Sequence, residues 1–258
     1  MTEILLKDFL TGIMIFLRIG AMFAVAPVYN NQNIPVLLRF ALALIITYIT
    51  LFSIDKINLA QNESFIVLIL YGIKEILTGV IMGITLNIVF HAVSFAGLLI
   101  GRDMGLAMTQ MFDPSSNTQG NIISTILVLT VIMVFFLING HQFVVQSITY
   151  SFKIIPIGKF KMTQSVYKLL VKYSAGIFIL AVKIASPVIV AFFLVHIASG
   201  IIARVSPSFQ VFFVLLPLKL VLGILLLALV TPLYVYLFKN LIFEYERNLF
   251  ELVKAMGM

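Results

Sequence analysis

The chain has 258 residues, of which 62% are hydrophobic, only 10% are charged and none is cysteine, and its net charge is +7. Soluble domains are about a quarter charged, so lipid or other protein must cover this much apolar surface, and the lack of cysteine excludes disulfides and thiol chemistry. The lysines and arginines flank apolar runs as topology determinants do, which indicates no nucleic-acid partner.

Six apolar runs follow one another, and a membrane-spanning helix needs about 20 such residues. The first is predicted to be a retained helix rather than a signal peptide, because Arg18 interrupts it and Pro27 follows the cleavage-like Ala24-Val25-Ala26. The fold class is therefore all-α, a polytopic membrane protein of about six long, partly kinked helices. The runs span residues 9–26, 36–54, 65–100, 122–152, 166–203 and 209–242.

The whole chain, 1–258, is predicted to form a single membrane domain, with N-terminal helices in 1–121 and C-terminal helices in 122–258 that include a hairpin over 166–242. Several runs are too long for one crossing, because 30 helical residues rise about 45 Å against about 30 Å of hydrocarbon. Prolines inside the last two runs predict kinks or breaks there. They are Pro187, Pro217 and Pro232.

Charged and histidine side chains interrupt the apolar runs. Each charge costs about 3 kcal/mol at mid-bilayer unless it is paired, reaches the interface, or faces protein or water. Together they predict that much of this surface faces other protein. Lys74 and Glu75 are sequence neighbours that do not face each other on a helix, so each is expected to find a partner elsewhere. The interrupting residues are Arg18, Lys74, Glu75, His91, His141, Lys183, His196 and Lys219.

Small residues recur at helical spacing in the third run and just beyond it. Gly97, Gly101 and Gly105 form a four-residue repeat, and Gly79 with Gly83 forms another. Such ridges let helix backbones approach closely. Packing within the chain and packing against a partner are both open interpretations.

Lysines cluster between the fourth and fifth runs, in residues 152–172. Positive residues favour the cytoplasmic side of a membrane, so this segment and both chain ends are predicted to lie there if each run crosses once. The clustered residues are Lys153, Lys159, Lys161, Lys168 and Lys172.

The sequence offers no catalytic constellation, so we predict a protein that is not an enzyme and needs no cofactor. The histidines are far apart, no histidine–glutamate helical pair of the metalloprotease type occurs, and no phosphate-binding glycine loop is present. Glu75, Asp103 and Asp113 could line an active site, but no nucleophile with a base at a suggestive spacing accompanies them. A metal site built from His91, His141 and His196 is not expected.

A polar interval, residues 101–121, separates the third run from the fourth. One interpretation is an external loop, in which Asp113 caps a helix that begins at Pro114. The other is a segment buried in protein or lining a water-filled space, where flexible methionine side chains seal irregular gaps. Its large apolar side chains are Met104, Met108, Met111 and Phe112.

Three segments carry a resemblance that covers nearly the whole chain in order and spacing. Residues 112–114 read Phe-Asp-Pro, residues 138–158 contain Asn-Gly-His and Pro-x-Gly, and residues 203–223 contain Arg204, Pro207, Phe212, Pro217 and Lys219. With them the chain resembles the FliR family of flagellar export-apparatus membrane proteins, whose injectisome counterparts are called SctT. His141 favours the flagellar branch. Ser208 and Gln210 depart from the family's Pro-Gln-x-Asn-x-Phe pattern.

The resemblance implies a core structural and gating subunit of the flagellar type III protein export gate. Such a subunit joins FliP-like and FliQ-like chains in a helical pore for unfolded flagellar proteins, with FlhA-like and FlhB-like export components, in the inner membrane of the flagellar basal body. It also implies a plug-like loop at residues 105–120. The implied plug residues are Gly105, Met108, Met111, Phe112, Asp113, Pro114 and Asn117. The residues predicted to pack helices or to be buried and polar are Arg18, Lys74, Glu75, Gly97, Gly101, His141, Arg204, Pro207 and Lys219.

Two alternatives stay open at this point. One is a SctT-type injectisome gate. The other is a small-solute secondary transporter that uses Lys183, His196 and Arg204 as a mid-membrane site, with helices broken at Pro187 and Pro217. The sequence contains no paired half-repeats, which disfavours the transporter.

Overall fold

A computed structural model describes residues 2–29, 35–54, 65–106, 121–205 and 211–257. These ranges contain seven α-helices and no β-strand, which confirms the all-α prediction. By length and composition, four helices are able to cross a membrane. The number of candidate spans rises to five if the bent pair Ile122–Leu137 and Gly140–Ile154 is counted as one span. The helices are α1 (Thr2–Val25), α2 (Val36–Leu51), α3 (Phe65–Asp103), α4 (Ile122–Leu137), α5 (Gly140–Ile154), α6 (Gln164–Val205) and α7 (Val211–Gly257).

The sequence predicts one helix in the fourth apolar run, whereas the structure contains two helices there. The axes of α4 and α5 differ by 70° at a short break. Asn139 lies in the break with a left-handed backbone, φ 60°, which asparagine tolerates better than most residues, and Gly140 follows it. The Asn-Gly pair is a turn signal that overrides the continuous apolar run on either side.

Neither of the last two helices is broken at its prolines, so of the predicted kinks or breaks only the breaks are contradicted. α6 continues through Pro187 for 42 residues, and α7 continues through both Pro217 and Pro232 for 47 residues. A helix surrounded by lipid or protein keeps its remaining backbone bonds, because the alternative is unsatisfied polar groups in an apolar medium.

The last helix also extends beyond the predicted hairpin end at 242, to Gly257. The extension is amphipathic: its buried residues recur every three or four positions, whereas the residues between them are mostly charged. This helical periodicity, rather than overall hydrophobicity, is the sequence signal for the extension. The buried residues are Ile242, Tyr245, Leu249, Leu252, Val253 and Met256.

The chain divides into two compact units built from interleaved segments. The first comprises Met1–Ile88, Asn139–Ser174 and Ile242–Met258, and the second comprises Val89–Ile138 and Ala175–Leu241. Because neither unit is continuous in sequence, the boundary predicted near residue 121 does not coincide with the unit boundaries. The expectation of a single domain stays a prediction.

In the first unit, α1 and α3 run parallel in close contact. A Cβ added to Gly83 would lie 2.9 Å from the Val25 Cβ, and the Asn87 side chain donates a hydrogen bond to the Val25 carbonyl at 3.2 Å. One turn earlier, Gly79 approaches the Arg18 carbonyl and Ala21. The second glycine repeat therefore packs within the chain.

In the second unit, the C-terminal part of α3 packs antiparallel against α4. The Ser94 and Ser124 hydroxyls are 2.9 Å apart, and the Phe90 and Phe135 rings meet edge to face at 6.2 Å. The α6 and α7 segments of this unit expose many large apolar side chains, among them Leu229 at 77%. Such surfaces are typical of contact with lipid or with another subunit.

Candidate functional site

The C-terminal end of α3 is closed by a Schellman motif. The Leu106 amide donates to the Gly101 carbonyl at 3.0 Å, and the Gly105 amide donates to the Arg102 carbonyl at 3.0 Å. Gly105 has the left-handed φ of 83° that this motif requires, so the glycine ends the helix without strain. α3 is thus fully terminated immediately before residues 107–120.

The beginning of α4 is fixed by Asn121. Its side-chain oxygen accepts a hydrogen bond from the Ile123 amide at 3.0 Å, which caps the helix. Its side-chain nitrogen donates to the carbonyls of Gly97 at 3.3 Å and Leu98 at 3.4 Å, both on α3. A side chain on Gly101 would overlap Asn121, so the close approach requires glycine.

The end of α3 and the start of α4, which lie on either side of residues 107–120, are held together by four residues. We refer to Gly97, Gly101, Gly105 and Asn121 as the loop base. A Cβ added to Gly97 would collide with the Ser124 backbone, so the helices touch directly there. The loop base uses backbone groups and a single amide side chain, and it contains no charged group.

Met104 fastens the same end of α3 to α7. Its side chain is buried, and a Cβ added to Gly223 would lie 2.5 Å from the Met104 Cε. The methionine therefore fills the space above a glycine of α7. The start of the polar segment lies against α7 as well as against α4.

A different arrangement is found in the first unit, around Arg18. This arginine and Glu75 are both buried, with exposed fractions of 1% and 0%, and the Arg18 Nε lies 2.6 Å from the Glu75 Oε2. The other arginine nitrogens donate to the Ser151 Oγ and to the Ile155 carbonyl, each at 3.1 Å. The Phe152 ring lies 4.0 Å from the Arg18 Cζ in a cation–π contact.

The connection between α5 and α6 completes this arrangement. The Gly158 amide donates to the Glu75 Oε1 at 2.9 Å, and the Lys74 Nζ donates to the Gly158 carbonyl at 3.1 Å. Gly158 has a φ of 76° and lies against the Tyr71 ring. We refer to Arg18, Lys74, Glu75, Ser151 and Gly158 as the charged cluster.

The charged cluster ties α1, α3, α5 and the α5–α6 connection together. Buried charges are tolerated where they are paired and hydrogen-bonded, and here each of the two ions has several partners. Lys74 and Glu75 find their partners in Gly158 and Arg18 rather than in each other. The chemistry of this arrangement is structural, because both ions are enclosed and engaged.

The model of the family described as "Bacterial export proteins, family 1" matches residues 9–245. The chain belongs to this family. It is 29% identical to the flagellar biosynthetic protein FliR of Bacillus subtilis, over 93% of this chain and 95% of that protein. The FliR of Escherichia coli is 28% identical over 94% and 92%, and that of Pectobacterium carotovorum is 31% identical over 84% and 83%.

Membership of the export-protein family confirms the FliR resemblance, and the loop base frames the segment where that resemblance places a plug. Of the plug residues, the structure describes Gly105 at the end of α3. The other six lie outside the described residues, and so does Pro207 between α6 and α7. Because two of the six are Asp113 and Pro114, the alternative helix start also lies outside the described residues. The six are Met108, Met111, Phe112, Asp113, Pro114 and Asn117.

The residues of the rival transporter site do not converge. Lys183, His196 and Arg204 are all exposed on α6, and they extend over about 30 Å of helix at 1.5 Å per residue. The His196 Nε2 instead lies 2.7 Å from the Lys219 Nζ on α7. Among the described residues, no group of three or more histidine or acidic side chains is arranged to hold a metal ion.

His141 is half-buried as the second residue of α5. The site residues that sequence reasoning missed are Asn121, Ser124 and Ser151. An asparagine directly before an apolar run is a known helix-start signal, so Asn121 could have been found. The two serines carry no local signal, because their roles depend on which helices meet.

Proposed function

We propose that this chain is a core structural and gating subunit of the flagellar type III protein export gate. The observation that carries the proposal is the family match over residues 9–245, together with FliR relatives that align over most of their length. Those relatives carry the flagellar name, which favours a flagellar gate over an injectisome one. The subunit is not an enzyme and passes unfolded flagellar proteins through a shared pore.

We further propose that residues 107–120 act as the plug of that pore. The loop base supports this, because it fastens both ends of a 14-residue segment to terminated helices. Displacing the residues between these ends therefore need not unwind α3 or α4. In the plug, Met108, Met111 and Phe112 occlude the lumen, since methionine side chains fill irregular gaps and yield when a chain pushes through.

The proposed partners are FliP-like and FliQ-like subunits in the pore, and FlhA-like and FlhB-like components beside it, in the inner membrane of the flagellar basal body. Two features support an assembly of this kind. Large apolar side chains are exposed along both long helices of the hairpin, for example Phe178 and Leu194 on α6 and Leu229 on α7. α6 and α7 are also longer than one membrane crossing requires.

The test is mild-detergent purification of the tagged full chain from its native membranes, followed by mass measurement of the intact particle. We expect stoichiometric co-purification with FliP-like and FliQ-like chains. The control is a parallel purification from the untagged strain. A lone monomer or homodimer from cells that express those partners would contradict the assembly. Saturable uptake of a small solute by the isolated chain would support the transporter instead.

A further inference from the structure

An open cavity of about 570 Å³ lies in the first unit, beside the charged cluster. It is bordered by α3 near Lys74, by the connection between α5 and α6, and by the end of α7. Ligand-binding cavities have volumes of about 300–1,000 Å³, so this cavity is larger than a single small ion requires. Its lining residues are Tyr71, Lys74, Ile154, Ile155, Pro156, Gly158, Lys159, Lys161, Met256 and Gly257.

The cavity carries an excess of positive charge. It is lined by Lys74, Lys159 and Lys161, and none of its lining residues is acidic. Glu75 follows Lys74 in the sequence, but both of its carboxylate oxygens are engaged by other groups of the charged cluster. None of the three lysines forms a salt bridge with any residue that the structure describes. The described parts of the chain therefore supply no counter-ion to these cations.

Lys74 is the most enclosed of the three lysines. It is half-buried, whereas Lys159 and Lys161 are exposed. Its ammonium group donates to the Gly158 carbonyl at 3.1 Å and lies 5.9 Å from the centre of the Tyr71 ring. Both contacts are with neutral groups, and an ammonium group has three N–H donors, so two donors remain for an acceptor. An anionic acceptor stabilises a partly buried cation better than a neutral one does.

The walls between the lysines are largely apolar. They are formed by the Tyr71 ring, by Ile154 and Pro156 of the connection, and by Met256 at the end of α7. An inorganic anion would contact the ammonium groups and leave these walls without a partner. A ligand that matches the whole cavity combines an anionic group with an apolar one. An aspartate or glutamate beside a hydrophobic residue provides this combination in a polypeptide.

The apolar surface continues from the cavity along α3. Ile66 and Leu70 precede Lys74 at helical spacing, so the three residues share one side of the helix. Both hydrophobic side chains are exposed. Exposed apolar surface beside a charged cavity is typical of a site that another protein covers, because hydrophobic contacts contribute affinity and complementary charges contribute specificity.

We propose that this cavity receives an acidic segment of a neighbouring protein subunit. Carboxylates of the segment form charge-assisted hydrogen bonds with exposed Lys159 and Lys161 and with half-buried Lys74. An adjacent hydrophobic side chain of the segment packs against Tyr71 and Met256. The site rests on the proposed gate assembly, because another subunit must supply the segment. It does not depend on a plug at residues 107–120.

Zero-length cross-linking tests the contact directly. A water-soluble carbodiimide joins a lysine amine to a carboxylate by an amide bond where the two groups touch. The particle purified in mild detergent is treated and digested, and the linked peptides are identified by mass spectrometry. We expect Lys159 and Lys161 to be linked to aspartate or glutamate of another subunit about tenfold more often than the comparison lysines, because the proposed contact holds the reacting groups together. The comparison lysines are Lys168 and Lys172, which are exposed and do not line the cavity.

Charge substitutions test whether the contact holds the subunit. The cavity variant is Lys159→Gln/Lys161→Gln, and its matched control, Lys168→Gln/Lys172→Gln, removes the same charge outside the cavity. Lys159→Arg/Lys161→Arg keeps the charge. Lys74 stays unchanged because it also belongs to the charged cluster. We expect the neighbouring subunit to dissociate about tenfold faster from the cavity variant, because losing one side of a desolvated charge pair raises the off-rate. The control and the arginine variant should lose it at the unmodified rate.

Four results would overturn the proposal. The first is cross-linking at the cavity lysines that is no more frequent than at the comparison lysines. The second is links that join the cavity lysines only to carboxylates of this same chain. The third is an equal dissociation rate for the cavity variant and its matched control. The fourth is loss of phospholipid, rather than of a subunit, from the intact particle of the cavity variant, which would indicate a lipid site.

The same experiment separates this site from the gate assembly. Any of the four results in an intact multi-subunit particle would overturn the cavity site alone. Purification of a lone chain would contradict the assembly and this site together. An unchanged apparent melting temperature of each isolated variant verifies that it is folded.

Discussion

The charged cluster and the loop base fasten helices in opposite ways. In the charged cluster, Arg18 and Glu75 are fully buried and every bond joins side chains or backbone from distant parts of the chain. In the loop base, Asn121 and the backbone of α3 do the same work without a charge. The first arrangement joins several helices through buried ions, whereas the second joins α3 to α4 through close backbone contact and neutral hydrogen bonds.

The two arrangements differ in what it costs to disrupt them. Removing one ion of a buried pair leaves an uncompensated buried charge, so separating the ions of the charged cluster has a large free-energy cost. The loop base instead joins Asn121 to α3 through neutral hydrogen bonds, so losing one of them leaves no buried charge.

The largest effect is expected from Glu75→Gln. This variant leaves the Arg18 guanidinium buried beside a neutral amide, and breaking a buried pair in this way costs about 3–5 kcal/mol. We expect a strongly reduced yield of folded protein and early loss of the gel-filtration peak on heating in detergent.

The control for this variant removes both charges at once. Arg18→Met/Glu75→Leu replaces the ion pair by apolar side chains. Such replacements are often neutral, or stabilise the folded protein by about 1–4 kcal/mol. The double variant is expected to survive heating better than Glu75→Gln. If the single variant were as stable as the unmodified chain, the charged cluster would not hold the first unit together.

A smaller effect is expected from Gly97→Ala in the loop base. The added methyl group would collide with the Ser124 backbone, and overpacking of this kind costs about 1–3 kcal/mol. We expect the apparent melting temperature of the purified chain to fall.

Gly200→Ala is the matched control for Gly97→Ala, because it makes the same chemical change in the same unit where nothing lies within 4 Å of the added Cβ. Alanine is favoured over glycine inside a helix by about 1 kcal/mol, so this variant should be slightly stabilised. Equal shifts of the melting temperature in the two variants would mean that the contact between α3 and α4 contributes nothing.

Asn121 allows the two functions of its side chain to be separated. Asn121→Ala loses the helix cap, which costs about 0.5–2 kcal/mol, and it also loses the bonds to α3. Asn121→Asp keeps an acceptor for the Ile123 amide but loses the donor to Gly97 and Leu98. We expect the melting temperature of Asn121→Asp to lie between those of the unmodified chain and Asn121→Ala. If Asn121→Asp melted at a lower temperature than Asn121→Ala, the bonds from Asn121 to α3 would contribute more to stability than the helix cap.

The smallest effect is expected from Lys219→Gln. Its ammonium group faces His196 at the exposed surface of α6 and α7, where polar contacts contribute little to stability. The melting temperature of the isolated chain should stay within the error of the measurement. A shift as large as that of Gly97→Ala would mean that this pair is an essential part of the second unit.

Much of the fold is predictable from the sequence, because the six apolar runs lie where the long helices are. The break at Asn139 was missed because apolar residues continue on both sides of it. The extension of α7 was missed because its buried stripe alternates with charged residues. The prolines predict kinks or breaks, and no break occurs at them in α6 or α7, because an apolar environment favours keeping the remaining backbone bonds.

The site is less predictable than the fold. The sequence singled out Arg18, Glu75, Gly97 and Gly101, since charges and glycines are conspicuous in apolar runs. It did not indicate which of them meet, because Arg18 and Glu75 are 57 positions apart, and Ser151, which also bonds to Arg18, is 133 positions from Arg18. Pairings over such separations depend on helix packing, and no local pattern specifies them.

The most direct test of the gating proposal is the ion conductance of the assembled gate in lipid bilayers after residues 108–117 are replaced by a Gly/Ser linker of equal length. The linker leaves the loop base in place, and the mass of the intact particle verifies that assembly is retained. Removing the methionines and Phe112 should open a persistent ion leak that the unmodified gate lacks. An assembled gate that remains as tight to ions as the unmodified one would contradict the proposal that this segment closes the pore.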